Sequence, residues 1–97
     1  MTWQVLAGWD NGHVDDTRRY YHSESIAITE KHGLVQHTIS GHKMPNPGDH
    51  VLPISISEAR TGLEIWYVTD SIDFEQFQSA WRQLDKYVNS QKTRLVA

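Results

Sequence analysis

The sequence contains no cysteine. That removes disulfides, thiol nucleophiles, iron–sulfur clusters and every cysteine-based zinc site. A chain of 97 residues without such staples must rest on its own core or on a partner subunit. No apolar run approaches the ~18 residues of a membrane span, and no charged-then-apolar leader precedes the first strand. Neither sign of charge dominates: nine basic and twelve acidic side chains leave a net charge of -3. Nucleotide loops of the G-x-G-x-x-G and G-x-x-x-x-G-K-[ST] kinds are missing, as are the G-x-S-x-G elbow and the H-E-x-x-H helix. Asp10–Asp16 faintly resembles a calcium loop. It fails at the sixth position, where Asp15 replaces glycine, and at the twelfth, where Tyr21 replaces an acid.

These absences leave a single soluble α+β domain over 1–97, expected in the cytoplasm. The mild acidic balance is shared by both halves and argues against duplex DNA, which calls for a basic face. Six histidines are the chain's titratable reserve; protonating all of them takes the net charge from -3 to +3, through zero near the pI of about 6.0.

Residues 2–9 alternate as a strand, with Trp3, Val5, Ala7 and Trp9 on one side, and Asp10-Asn11-Gly12 ends it with a turn. Residues 13–24 lack a period and read as a loop that begins a strand near Tyr20. Residues 25–40 read as a hairpin turning at Lys31-His32-Gly33, and 41–50, with Pro45, Pro47, Gly41 and Gly48, as a loop. Residues 51–69 read as a second hairpin: Leu52, Ile54 and Ile56, a turn at Ala59–Gly62, then Leu63, Ile65 and Tyr67. The last segment predicts a helix over 73–90. Its stripe is Phe74, Phe77, Trp81, Leu84 and Val88, with Asp73 as N-cap, Gln76 at N3 and Ile72 as a staple. The sum is an antiparallel sheet of about four to five strands with one C-terminal helix on one face, a two-layer sandwich whose other face stays open.

Two features stand above the background. Arg18, Arg19, Tyr20 and Tyr21 form the one cation–aromatic cluster, a composition favoured at protein interfaces and in single-strand binders. Asp15 and Asp16 beside it weaken the second option. Four Trp and four Tyr are many for this length, and strand alternation puts Trp66 on the open face, where an apolar patch marks an interface. Of the histidines, only His42 and His50 with one other can converge on a metal, because His32, His37 and His42 are spread along an extended segment. His50 beside Asp49 is a nominal acid–base candidate, but neighbours on extended chain diverge.

The expected function is therefore a non-catalytic binding or adaptor protein, without cofactor or metal. It works through protein–protein contacts with itself, as a homodimer, and with a further protein; Arg18, Arg19, Tyr20, Tyr21 and Trp66 are its binding residues. A single-strand binder on the open sheet face and a small-molecule binder in an aromatic pocket are the alternatives. The order of elements resembles that of single-strand-binding transcription cofactors in layout only, with no shared motif.

Overall fold

The computed structural model describes the backbone of residues 3–10, 13–14, 19–41 and 48–96, with side chains at 3–10, 22–40 and 50–92. The chain order is β1 (Trp3–Asp10), β2 (His13–Val14), β3 (Arg19–Thr29), β4 (Gly33–Gly41), β5 (Gly48–Pro53), α1 (Ile56–Val68) and α2 (Phe74–Val96). Four strands form an open antiparallel sheet in the order β1-β3-β4-β5, and β2 pairs with β3 beyond the end of β1. Both helices lie on one face. The α+β class and the antiparallel sheet follow the sequence reading; no described helix is long and apolar enough to cross a membrane.

The β3–β4 hairpin sits where Lys31-His32-Gly33 points to it. Gly33 has φ 68°, a left-handed conformation that glycine adopts without a Cβ penalty. Thr29 Oγ1 accepts from the His32 N–H at 2.9 Å and donates to the Gly33 carbonyl at 3.1 Å, closing the turn. Cross-strand pairing then fixes the faces: Ile26 lies opposite Gln36 and Ile28 opposite Leu34 on the helix side, and Ala27 opposite Val35 on the other.

β1 departs from the simple alternation. Val5 pairs with Ala27 and Ala7 with Ile26, so the register shifts by one residue at Leu6. Such a bulge turns two consecutive side chains to one side. Leu6 and Ala7 both enter the helix-side core, while Trp3 and Val5 keep the opposite face. The expectation that Trp3, Val5, Ala7 and Trp9 share a side is thereby corrected.

The larger correction concerns residues 51–69. Only 48–53 are strand; 56–68 are helix, not the return strand of a hairpin. Ser55 caps α1 through a reciprocal box: its hydroxyl accepts from the Glu58 N–H at 3.0 Å, and the Glu58 carboxylate accepts from the Ser55 N–H at 2.9 Å. Ala59, Leu63 and Trp66, at spacings of four and three, form its buried face. Gly62, read as a turn residue, lies mid-helix over the sheet, where an added Cβ would meet Ile26 Cδ1 at 3.4 Å. The helix ends at Thr69. Asp70 then takes φ 61°, and the Ser71 and Ile72 N–H groups return to the Trp66 carbonyl at 2.8 and 3.2 Å.

α2 starts as expected, with the Gln76 N–H bonded to Asp73 Oδ1 at 2.8 Å. Its stripe is rotated from the one predicted. Ala80 and Leu84 are fully buried against the sheet, Phe77 and Trp81 are half-buried, and Phe74 is 55% exposed. The neighbour that moves it is α1. Tyr67 stacks on Phe77 at 4.8 Å, Phe77 meets Trp81 at 5.3 Å, and Arg60 lies 4.8 Å over the Trp81 ring while bonding Asp85 at 2.9 Å. This row closes the seam between the helices on its outer side.

Two stability outcomes follow. Leu63→Ala and Leu84→Ala are each expected to cost about 2–5 kcal/mol, because their sites are sealed, whereas Phe74→Ala should stay within about 1 kcal/mol; urea unfolding of the three variants checks both. The Ser55 N–H, and secondarily its hydroxyl, hold the Glu58 carboxyl below its ordinary value. A depressed carboxyl stabilises the fold above its unfolded pKa and loses that contribution as pH falls through its folded one. Ser55→Ala, which removes the cap hydroxyl, should cost about 1 kcal/mol, and Glu58→Gln, which removes the titrating carboxyl, should lessen the loss of stability on acidification; unfolding midpoints across pH read both.

Candidate binding face

The sheet face turned away from the helices is built from alternate residues of four strands. By register it carries Trp3 and Val5 from β1, Ala27 from β3, Val35 and His37 from β4, and Val51 and Pro53 from β5. No helix covers it, yet Ala27 and Val35 are completely buried. The Trp3 ring reaches across this face. It touches the His37 ring edge-on at 5.1 Å, although His37 lies two strands across and four residues up from the β4 position level with Trp3. A contact over that span crosses the row that holds Ala27 and Val35. Trp3, Val5 and Val51 nevertheless stay 37%, 55% and 40% exposed. The result is an apolar surface with a buried floor.

The electrostatics of this face are quiet. No Lys, Arg or Glu stands among the positions of this face from Trp3 to Asp10 and their partners across the sheet; the one cation of this parity, Arg19, lies further along β3, beyond the end of β1. Asp10 and Asp49 share one row, opposite Ser23 and Ile39, at the end where β1 stops. Gly8 keeps this region tight: a Cβ there would lie 3.0 Å from both the Glu24 carbonyl and Ser25 Cβ.

The residues singled out from the sequence fall elsewhere. Trp66 is on α1, 7% exposed, and packs T-shaped on Trp9 at 6.2 Å. It belongs to the core between helix and sheet, and no strand bears it, which corrects its placement on an open sheet face. Arg19, Tyr20 and Tyr21 lie on β3, paired with Val14, His13 and Gly41. Arg18 lies outside the described residues, as does His42, which the metal trio requires; among the described residues no three His, Asp or Glu side chains form a metal-binding group. His50 is on β5 opposite Thr38. Trp3 and Val5 were missed as surface residues because the bulge that parts them from Ala7 and Trp9 has no mark in the sequence.

On the helix side, the row of Trp9 continues into polar residues. Glu24 accepts from Gln36 Nε2 at 2.7 Å and meets His22 Nε2 at 3.2 Å, and the His22 ring lies 5.4 Å from Trp9. Glu24 thus ties β3 to β4 where the helical cover ends. Its carboxylate oxygens are engaged by these two neighbours, which suits a structural tie better than proton transfer. Compared with family models, with curated proteins and with solved structures, the chain matches none.

Trp3→Ala is expected to cost about 1–3 kcal/mol, less than a fully buried aromatic but more than a surface residue. The Val35 methyl resonances, shielded by the indole, should move downfield in that variant. An unmoved Val35 would mean that the indole does not cover it.

Proposed function

We propose that the chain is a small non-catalytic binding protein that pairs with a second copy of itself through the open face of its sheet. The observation that carries this reading is the exposed apolar trio Trp3, Val5 and Val51 on a face that no helix covers. Exposed patches of this kind on small proteins mark interaction surfaces. The occupant argued for is a like surface. The central rows of the face carry no Lys, Arg, Asp or Glu, so two copies meet without repulsion between such groups, and a two-fold contact needs only one self-complementary patch. Sheets pack face to face about 10 Å apart, which would give four layers, helices outermost. A 97-residue chain without disulfides gains from sharing a second apolar layer.

Single-stranded nucleic acid is supported less well. Such binders set cations beside their stacking aromatics, and neither Lys nor Arg stands beside Trp3 and His37; Arg19, which shares their side of the sheet by register, lies at the other end of β3.

Sedimentation velocity tests the proposal. The wild type is expected to run as a dimer at micromolar concentration. Val5→Lys, which places a charge on an exposed position of the face, should run as a monomer with a similar unfolding midpoint. A wild type that stays monomeric at high concentration, or a dimer indifferent to Val5→Lys, contradicts the proposal. Quenching of the tryptophan emission by a mixed-sequence single-stranded oligonucleotide would favour the nucleic-acid alternative.

A further inference from the structure

The helical layer carries a second exposed apolar surface, separate from the sheet face. Where α1 turns into α2, Ile65, Tyr67, Val68 and Phe74 are 54%, 40%, 78% and 55% exposed. Tyr67 and Phe74 touch at 6.0 Å, so this part of the patch is continuous across the turn. Beside them Glu64, Ile65, Val68 and Thr69 frame a shallow hollow of about 310 Å³. With the seam already sealed by Tyr67, Phe77, Trp81 and Arg60, the exposure of Ile65, Val68 and Phe74 is more than the helix hairpin needs for its own packing.

The rim has one sign. Glu64, Asp70, Asp73 and Glu75 surround the patch, and all four are exposed. Residues 56–80 hold five acids and one base, Arg60, which is already bonded to Asp85; the rest of the chain holds seven acids and eight bases. The chain's excess negative charge is thus concentrated around this turn. Two details of α1 add to it. Its last turn has no basic residue, so the partial negative charge of the helix C-terminus is unopposed. Asp70 stands at φ 61°, where glycine would be the relaxed choice, and brings a carboxylate to the rim.

We infer that the α1–α2 turn is a docking surface for a basic amphipathic segment of another protein, one whose apolar side chains cover Ile65, Val68 and Phe74 while its Lys or Arg residues meet the acidic rim. Apolar anchors give such a contact its affinity, and the ring of opposite charge gives orientation and encounter rate. The inference goes beyond self-association: the surface lies on the other layer of the fold and is available in monomer and dimer alike.

Three synthetic peptides of equal length test it: an amphipathic leucine–lysine helix, its leucine–glutamate counterpart, and a lysine–serine peptide without an apolar face. Each is titrated into the 15N-labelled full chain. The leucine–lysine peptide is expected to shift the amides of residues 64–75, more weakly as salt rises. The other two should bind at least about tenfold more weakly, as should the leucine–lysine peptide to Val68→Ser or to Asp70→Asn/Glu75→Gln. Both variants alter exposed positions, and retained amide dispersion shows that they fold. The same titration on Val5→Lys should be unchanged, which separates this result from the fate of the sheet-face proposal. Shifts centred on the sheet face, no shifts at all, equal binding of the leucine–glutamate peptide, or indifference to the Val68 and rim variants would each overturn the inference.

Discussion

One extra residue in β1 decides which side chains reach which side of the sheet. Because Leu6 is inserted between Val5 and Ala7, the strand changes parity midway. Leu6, Ala7 and Trp9 join Ile26, Leu34, Leu63, Trp66 and Leu84 beneath the helices, and Trp3 and Val5 are left on the opposite face. Without that insertion, strict alternation would bring Trp3 and Trp9 to one face. The helix-side core would lose its Trp9–Trp66 contact, or the open face would lose the indole that reaches across it to His37. Core and surface are therefore two outcomes of the same bulge.

The helical layer depends on a second local choice, that residues after Pro53 leave the sheet. Ile54 still donates to the Leu34 carbonyl, at 3.1 Å, and the Ser55 cap follows at once. With α1 in place, α2 no longer covers the sheet alone. It turns Ala80 and Leu84 to the strands and Phe77 and Trp81 to its neighbour. The large aromatics thus stand in the seam, where ring stacking and the Arg60 guanidinium hold the helices together, and the small Ala80 lets α2 approach the sheet closely.

Much of this order could be read from the residues. The β3–β4 hairpin, its turn and the facing of Ile26 against Ala27 follow from period-two alternation around a glycine. The start of α2 follows from Asp73. The α1 segment was legible in principle and misread: Leu63, Ile65 and Tyr67 alternate as in a strand, but Ser55 and Glu58 form a capping box, and Ala59, Leu63 and Trp66 keep helical spacing. Gly62 tipped the reading toward a turn, whereas its lack of a side chain serves close packing on Ile26. The bulge was not legible, since Val5-Leu6-Ala7 contains neither glycine nor proline, and which residue a ladder skips is settled by packing on both faces at once. An open apolar face was expected and exists. Its occupants are Trp3, Val5 and Val51 rather than Trp66, because the bulge parts Trp3 from Trp9 and the helical form of 56–68 takes Trp66 into the core.

The central claim is that the four tryptophans are divided by role, with Trp3 alone on the open sheet face proposed to self-associate and Trp9, Trp66 and Trp81 held within the helix-side layers. Fluorine NMR of the chain carrying 5-fluorotryptophan tests this directly, since each indole reports separately. On dilution from high to low micromolar concentration, the Trp3 resonance is expected to move while the other three stay fixed. Movement of Trp9 or Trp66 instead, or four resonances that ignore concentration, would contradict the account.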